Sequence, residues 1–225
     1  MNLSVIIAFL LLLIAYLLGS FPTGFLIAKF LMGIDIREQG SGSTGATNIL
    51  RTVGKIPAIF VLLIDALKGV AAISLIYSIY TFWNQDNLLP ENWQSWLVAG
   101  AGLAAIIGHS KSIWLNFSGG KSVATSLGIL LAMSWQIGLG TAAVFAVFIA
   151  ISRIVSLSSI AAAIAVSLLM IIFHQPLAYQ LFAALAGLYV IWRHQANIQR
   201  LIAGTEPQLG QKLATSENPE ITLNQ

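Results

Sequence analysis

The fold is decided by residues 3–21, LSVIIAFLLLLIAYLLGSF, which contain no charged side chain. A helix needs about 20 consecutive apolar residues to cross the hydrocarbon core of a bilayer. No basic segment precedes this stretch and no small-residue cleavage site follows it, so we expect a retained span rather than a secretory signal. The chain is 57% hydrophobic and 8% charged, whereas soluble domains carry about 25% charged residues. The sequence therefore predicts an all-α, polytopic integral membrane protein.

Further apolar blocks follow along the chain, and one of them decides the number of spans. The blocks lie at residues 3–31, 56–83, 94–108, 122–133, 136–151, 154–173 and 177–192. Read as one helix, residues 122–151 would rise about 45 Å, which is more than one hydrocarbon core of about 30 Å but less than two. Splitting this stretch around Ser134-Trp135-Gln136 gives seven transmembrane helices.

The distribution of basic residues favours the split. With seven spans and the N-terminus outside, ten of the eleven basic residues lie in cytoplasmic segments, as the positive-inside rule requires. These ten are Lys29, Arg37, Arg51, Lys55, Lys111, Lys121, Arg153, Arg193, Arg200 and Lys212. Fusing residues 122–151 would place Arg153 and the basic end of the chain outside. We therefore predict one seven-helix transmembrane domain, residues 1–202, and a polar cytoplasmic tail, residues 203–225.

Composition also limits the chemistry. The chain has no cysteine, which excludes disulfides, thiolate metal sites and thiol nucleophiles. No cluster of metal ligands is visible in the sequence, so we predict neither a metal nor another cofactor. The net charge of +3 is modest, and no basic patch indicates a nucleic-acid partner.

A small-residue polar loop, GSGSTGATN at residues 40–48, separates the first two apolar blocks. Glycine frees backbone N–H groups to converge on an anion, which favours phosphate binding. The candidate ligands are Gly40, Ser41, Gly42, Ser43, Thr44, Thr47 and Asn48, followed by Arg51 as a fork-shaped donor. The alternative is a flexible connection between helices.

A second loop, Gly119-Gly120-Lys121-Ser122, leads into the fourth block. A helix that begins at Ser122 would present free N–H groups and a favourable dipole to a phosphate. His109, at the end of the third block, is a further candidate phosphate partner. The alternatives are an ordinary Gly-Gly turn, a basic residue placed there by topology and a structural histidine.

A third polar segment, residues 193–200, leaves the last block. His194, Asn197 and Arg200 lie on one face at helical spacing, although basic residues here are also ordinary topology signals. Asp65 and Lys68 share a face of the second block and can neutralise each other inside the bundle. Because all three polar segments lie on the same predicted side, we expect one site facing the cytoplasm.

These motifs resemble those of the bacterial integral-membrane acyl-phosphate:glycerol-3-phosphate acyltransferases of the PlsY type. The resemblance covers nearly the whole chain and rests on GSFPTG at residues 19–24, DIR at 35–37, GSG and GATN at 40–48, GH at 108–109, FSGGKSVAT at 117–125, and Arg193-His194 with Asn197, Arg200, Gly204 and Glu206. The chain departs from that family at two positions. Ser43 stands where the family usually has asparagine, and Ser122 stands where it usually has glycine.

The resemblance implies transfer of an acyl group from acyl-phosphate to the 1-hydroxyl of sn-glycerol 3-phosphate, giving lysophosphatidic acid and phosphate as the first step of phospholipid synthesis. It implies catalytic roles for Ser41, Lys121, His194 and Asn197. The implied phosphate ligands are Gly40, Gly42, Ser43, Thr47, Asn48, Arg51, His109, Gly119, Gly120, Ser122 and Arg200, and the implied supporting residues are Asp65, Lys68 and Glu206. It further implies a bacterial inner-membrane location, no cofactor, and contact with the enzyme that produces acyl-phosphate.

Two other functions compete with this interpretation. A small transporter for phosphate or a phosphorylated metabolite would also need phosphate-binding loops, but carriers place their sites near the membrane midplane. A purely structural subunit would use the glycine loops only for folding.

Overall fold

The computed structural model describes residues 2–84 and 88–211, and it is all-helical over this part of the chain. The helices are α1 (Leu3–Ser20), α2 (Thr23–Met32), α3 (Ala46–Thr52), α4 (Lys55–Ser78), α5 (Gln94–Ser110), α6 (Val123–Met133), α7 (Trp135–Ser152), α8 (Val155–Ile172), α9 (Leu177–Arg193) and α10 (Gln195–Ile202). A π-helical turn, Ile79–Trp83, extends α4. Short 3₁₀ turns occur at Ile36–Glu38, Glu91–Trp93 and Ile113–Leu115.

Four helical stretches in the described residues are long and apolar enough to cross a membrane: Leu3–Met32, Lys55–Trp83, Trp135–Ser152 and Val155–Ile172. Two shorter apolar helices, α6 and α9, pack with them. The architecture confirms the prediction of a multi-pass, all-helical membrane protein. The expected seven crossings and their orientation remain predictions.

The first apolar block is interrupted, and a buried ion pair provides a hydrogen bond to the backbone at the interruption. α1 ends at Ser20 and α2 begins at Thr23, so Pro22 separates two helices. The break leaves the Phe21 carbonyl outside any helical ladder, and the Lys68 ammonium donates to it at 3.1 Å. Lys68 also pairs with Asp65, with 2.9 Å between Nζ and Oδ1. The two charges of this intramembrane pair therefore neutralise each other, and the lysine also supplies a hydrogen bond to the backbone between α1 and α2.

The stretch 122–151 contains two helices, as the split requires. Ser134, between α6 and α7, has an extended backbone with φ −158° and ψ 102°. A β-carbon on Gly138 would lie 2.8 Å from the Leu131 α-carbon, seven residues earlier, whereas one continuous helix would separate the two by about 10 Å. The chain therefore turns back on itself at Ser134.

Glycines allow the helices to approach closely around the core. A β-carbon on Gly128 of α6 would collide with the Ala66 carbonyl of α4, and one on Gly69 of α4 would collide with the Thr125 carbonyl of α6. Such small-residue contacts are typical of membrane helix pairs. The buried core around this pair draws on α1, α4, α5, α6, α7, α8 and α9, while large apolar side chains such as Phe30, Leu67 and Leu188 point outward.

The predicted tail begins with packed residues. Glu206 is buried, and the backbone N–H of Leu209 donates to the Arg153 carbonyl between α7 and α8 at 2.6 Å. Packing therefore continues beyond the predicted boundary at residue 202. The rest of the predicted tail, 212–225 with Lys212, lies outside the described residues, as do residues 85–87 between the predicted blocks 56–83 and 94–108.

Candidate active site

A buried carboxylate links three segments at one end of the bundle. Glu206 Oε1 accepts hydrogen bonds from Asn197 Nδ2 at 2.6 Å and from Ser156 Oγ at 2.8 Å, and Oε2 accepts from Arg200 Nε at 2.7 Å. Burial alone would raise the pKa of Glu206, but the hydrogen bonds from Asn197, Ser156 and Arg200 outweigh it and lower the pKa below its ordinary value. Glu206 is therefore ionised, and it ties α8, α10 and the chain after α10 together.

Lys121 joins this network through Asn197. The Lys121 ammonium donates to Asn197 Oδ1, while Asn197 Nδ2 donates to Glu206. The amide thus connects the loop before α6 with α10. Burial lowers the pKa of Lys121 to about 8, against the opposing effect of the Glu206 charge.

The site carries an excess of positive charge. Arg51, Arg193 and Arg200 each lower the pKa of Lys121 through space, so their charges lie near its ammonium. Burial lowers the pKa of Arg51, whereas the Glu206 charge raises it. Of these four cations, Arg51, Lys121 and Arg200 also feel or contact the Glu206 carboxylate. An unbalanced cluster of this kind, in a partly dehydrated setting, favours a multiply charged anion such as a phosphate.

His194 lies between α9 and α10 with a defined tautomer. Its Nδ1 is 2.7 Å from the Val190 carbonyl, and because a carbonyl only accepts, Nδ1 carries the proton. The pKa of His194 is lowered to about 4, chiefly by burial and further by the charge of Lys121, against the opposing effect of the Val190 carbonyl. The ring is therefore neutral at pH 7, and its Nε2 is an acceptor.

Asn48 gives the first loop its shape. Its Oδ1 accepts from the Ser41 N–H at 2.9 Å, and its Nδ2 lies 2.9 to 3.2 Å from the carbonyls of Ile36, Gln39 and Ser43. The side chain is 1% exposed. Sequence reasoning assigned this amide to phosphate binding, but both its polar atoms are engaged with the loop backbone.

The rest of the first loop is open. Gly40 and Gly42 have φ of +58° and +67°, the left-handed region that favours glycine, and a β-carbon on Gly40 would collide with Asn48 Oδ1. Ser41 is exposed and Thr47 half-buried, and neither hydroxyl makes a hydrogen bond within residues 2–84 and 88–211. Ser43 Oγ instead accepts from the Gly45 N–H at 3.3 Å. The Thr44 hydroxyl also has no hydrogen bond among the described residues, but Thr44 is buried, so Ser41 and Thr47 are the more accessible to a ligand.

Arg37 joins the two loops. Its guanidinium donates to the Leu115 carbonyl at 3.2 Å and to Ser118 Oγ at 3.1 Å, both in the loop before α6. Asp35 holds the same guanidinium with 2.6 Å between Oδ2 and Nη2. The hydrogen bond from Arg37 lowers the pKa of Asp35, so this carboxyl stays ionised. The two predicted loops are therefore physically connected.

Gly119 and Gly120 are needed for close packing. A β-carbon on Gly119 would collide with the His109 carbonyl, and one on Gly120 would collide with His109 Nε2. The Gly120 N–H donates to the His109 carbonyl at 3.2 Å. Arg193 Nη2 donates to both glycine carbonyls, at 3.3 and 3.1 Å. His109 thus supports the loop from beneath, and the Gly120 N–H, expected to face an anion, is already engaged.

Ser122 adopts the conformation that a glycine would favour. Its φ is +62° and its ψ +10°, directly before α6 begins at Val123. Its hydroxyl donates to the Ile106 carbonyl of α5 at 2.9 Å. The departure from the usual family residue is therefore accommodated by a strained backbone and a hydrogen bond to a neighbouring helix. This hydroxyl supports the loop.

The structure adds residues that sequence reasoning did not place in the site. Arg193 holds the second loop, Arg37 joins the loops and Ser156 donates to Glu206. Arg37 and Arg193 lay within the motifs that carry the family resemblance, so motif position could have identified them. Ser156 has no comparable signal, because it is one of several serines at the start of an apolar helix.

Known proteins of one family resemble this chain over most of its length. Residues 9–204 match the family model described as glycerol-3-phosphate acyltransferase. A glycerol-3-phosphate acyltransferase from Nostoc sp. is 66% identical over 208 residues, which cover 90% of this chain and 92% of the relative. One from Trichodesmium erythraeum is 57% identical over 213 residues, covering 92% of this chain and 93% of the relative. The chain belongs to the glycerol-3-phosphate acyltransferase family.

Solved structures show the same fold. The chain superimposes on the crystal structure of PlsY, an integral membrane glycerol 3-phosphate acyltransferase, in its glycerol 3-phosphate form with a TM-score of 0.80. The sequences are 36% identical, and the match covers 90% of this chain and 96% of that one. The lysophosphatidic acid form of PlsY gives a TM-score of 0.76 at 34% identity, covering 89% of this chain and 94% of that one. The expected family and its PlsY type are thereby confirmed.

We expect the Ser122→Gly variant to be as stable as wild type and the Ser122→Ala variant to be less stable. A left-handed non-glycine residue costs about 1–2 kcal/mol, and a hydrogen bond contributes about 0.5–1.5 kcal/mol. Glycine removes both the cost and the bond, so its two effects nearly cancel. Alanine keeps the cost and loses the bond, so it should be less stable by about 1 kcal/mol. Thermal unfolding in detergent measures this, and equal midpoints for the two variants would contradict it.

Proposed function

We propose that the protein transfers a fatty acyl group from acyl-phosphate to the 1-hydroxyl of sn-glycerol 3-phosphate, giving lysophosphatidic acid and inorganic phosphate. The observation that carries the proposal is the cluster of Lys121, Asn197, Arg200 and Glu206, with Arg51 and Arg193 beside it. Both substrates present a phosphate, and the cluster combines excess positive charge with neutral donors and acceptors. Membership of the glycerol-3-phosphate acyltransferase family supports the acceptor substrate.

The reaction needs little chemistry from the protein. Acyl-phosphate is a mixed anhydride and is already activated, so the main task is to align a hydroxyl with a carbonyl. The hydroxyl oxygen attacks the acyl carbon, the bond from that carbon to the phosphate oxygen breaks, and the hydroxyl proton leaves with the phosphate. No protein nucleophile is required.

We assign the acyl-phosphate headgroup to Lys121 and the first loop. The Lys121 ammonium supplies charge, and the Ser41 and Thr47 hydroxyls supply donors that make no hydrogen bond to any residue that the structure describes. Fixed donors at this position would also stabilise negative charge that develops near the carbonyl. Asn48 and Gly40 contribute by shaping the loop.

We assign glycerol 3-phosphate to Arg51, Arg200, His194 and Asn197. The arginines match a phosphate as fork-shaped donors. His194 Nε2 can accept a hydrogen bond from the glycerol hydroxyl and so orient it. Its pKa of about 4 makes the imidazole a weak base, which supports transfer of the proton to the departing phosphate instead.

The activity is tested with purified protein in detergent. Labelled glycerol 3-phosphate is incubated with palmitoyl-phosphate or with palmitoyl-coenzyme A, and lysophosphatidic acid is measured. We expect product from acyl-phosphate alone. Product only from the thioester would overturn the proposed donor. No product from a folded sample would favour the transporter, because transport needs a sealed membrane and chemistry does not.

A second prediction concerns pH. Lys121 is charged below its pKa of about 8, so the KM for acyl-phosphate should rise as pH increases through 8. Lys121→Arg should flatten this rise, because arginine keeps its charge. Glu206→Gln should move the rise to lower pH, because the Glu206 charge raises the pKa of Lys121.

The matched control for this pH experiment is Lys111→Ala. Lys111 is an exposed basic residue in the same loop and should keep the wild-type profile. A profile for Lys121→Arg that matches wild type would show that Lys121 does not set the pH dependence.

We further propose seven crossings of the inner membrane, with the N-terminus outside and the site facing the cytoplasm. The grouping of Arg51, Lys121, Arg193 and Arg200 at one end of the bundle supports this orientation under the positive-inside rule. In such a protein Asn92 lies outside and Gln208 inside, and both are exposed.

Because the chain has no native cysteine, Asn92→Cys and Gln208→Cys are clean reporters of orientation. An impermeant maleimide should label the Asn92→Cys variant in intact spheroplasts and the Gln208→Cys variant only after permeabilisation. The reverse pattern would invert the topology, and equal labelling of both from outside would contradict the odd number of crossings predicted between residues 92 and 208.

A further inference from the structure

An apolar cavity of about 120 Å³ lies among α6, α7, α8 and α9. Val123 of α6 and Val190 of α9 line one end of it. Val123 follows Lys121 by two residues, and the Val190 carbonyl contacts His194. The cavity therefore begins beside the proposed reaction centre.

The direction of the helices shows where the cavity ends. α6 runs away from Lys121, and α9 ends at Arg193, which holds the Gly119 and Gly120 carbonyls. Leu130 of α6 and Phe182 of α9, which also line the cavity, therefore lie at its far end. From Val190 to Phe182 is eight residues, or about 12 Å along the helix. This is less than one leaflet of a core about 30 Å thick, so a membrane-length chain reaches Phe182 before its methyl end.

The Phe182 ring is held in place by Gly102, which contacts the ring on the side away from the cavity. The ring is 2% exposed, and a β-carbon on Gly102 of α5 would lie 2.7 Å from its Cε2. The same β-carbon would lie 3.1 Å from Ile129 Cγ2. The ring is therefore pressed against the α5 backbone, and any side chain at residue 102 would push it toward the cavity.

We propose that Phe182, seated against Gly102, forms the far wall of the acyl-chain cavity and determines the preferred acyl length. The inference rests on the proposed function, because it takes the ligand to be the fatty chain of acyl-phosphate. The cavity is lined almost wholly by apolar side chains and begins at the phosphate-binding end of the bundle, which suits a chain whose headgroup is held by Lys121.

The two contacting residues give opposite predictions. Phe182→Leu or Phe182→Ala removes part of the wall and should raise the ratio of kcat/KM for stearoyl-phosphate over myristoyl-phosphate. Gly102→Ala pushes the ring inward and should lower that ratio. Each methylene gained or lost from the cavity should change the ratio by roughly fourfold. The double variant Gly102→Ala with Phe182→Leu should return toward wild type.

Leu185→Ala is the matched control. Leu185 lies on the same helix three residues from Phe182, but it is 54% exposed toward the outside of the bundle, so its loss should leave the ratio unchanged. Because both substrates are compared in one preparation, partial unfolding of a variant lowers both rates and leaves their ratio intact.

The outcomes separate this inference from the proposed function. If wild type uses acyl-phosphates but the Phe182 and Gly102 variants keep its ratio or shift it in the same direction, the length assignment is wrong and the function stands. If wild type uses none of the acyl-phosphates, the proposed function itself has failed.

Discussion

The proposed active site depends on one ionised carboxylate. Glu206 accepts hydrogen bonds from Asn197, Ser156 and Arg200. Asn197 in turn accepts a hydrogen bond from Lys121 and so links Lys121 to the carboxylate. Without this negative charge, Arg51, Arg200 and Lys121 would repel one another in a partly dehydrated space. A single carboxylate offsets part of that repulsion and fixes the donors in place, yet it leaves the net positive charge that the proposed binding of substrate phosphate needs. A second carboxylate would weaken the attraction that the proposed site needs.

A second constraint comes from the bilayer, which cannot hydrate a broken helix. The interruption at Pro22 exposes backbone carbonyls inside the bundle, and polar side chains from other helices meet them. Lys68 donates to the Phe21 carbonyl, and Ser112 Oγ donates to the Ser20 carbonyl at 2.6 Å. Since Ser112 lies in the loop that leads to Lys121, the end of α1 also anchors that loop. The need of the Phe21 carbonyl for a hydrogen-bond donor thus explains why an ion pair lies inside the membrane.

Sequence alone could predict the membrane class, the break near Ser134 and the set of polar segments, because hydropathy and charge placement are properties of the chain itself. It also predicted that Lys121, Asn197 and Arg200 belong to one site, since their segments share a predicted side. It could not assign tasks within the loops. The sequence suggests Asn48 as a phosphate ligand, but its amide nitrogen donates to the backbone carbonyls of Gln39 and Ser43. Gly119 and Gly120 look like an anion cradle until His109 is found pressed against them. Such roles depend on contacts between residues distant in sequence.

The end of α9 sets the distance between the two halves of the proposed site. Arg193 holds the glycine carbonyls that precede Lys121, whereas His194 is fixed by the Val190 carbonyl one turn earlier. Val190 is also where the apolar cavity begins. One helical turn therefore positions the Gly119-Gly120-Lys121 loop, the His194 imidazole and one end of the apolar cavity. In the proposed reaction the acyl carbon would lie where these three meet, at the boundary between charged and apolar surroundings. A rigid helix end is suited to this task because a displacement of about 1 Å can cost a hundredfold in rate.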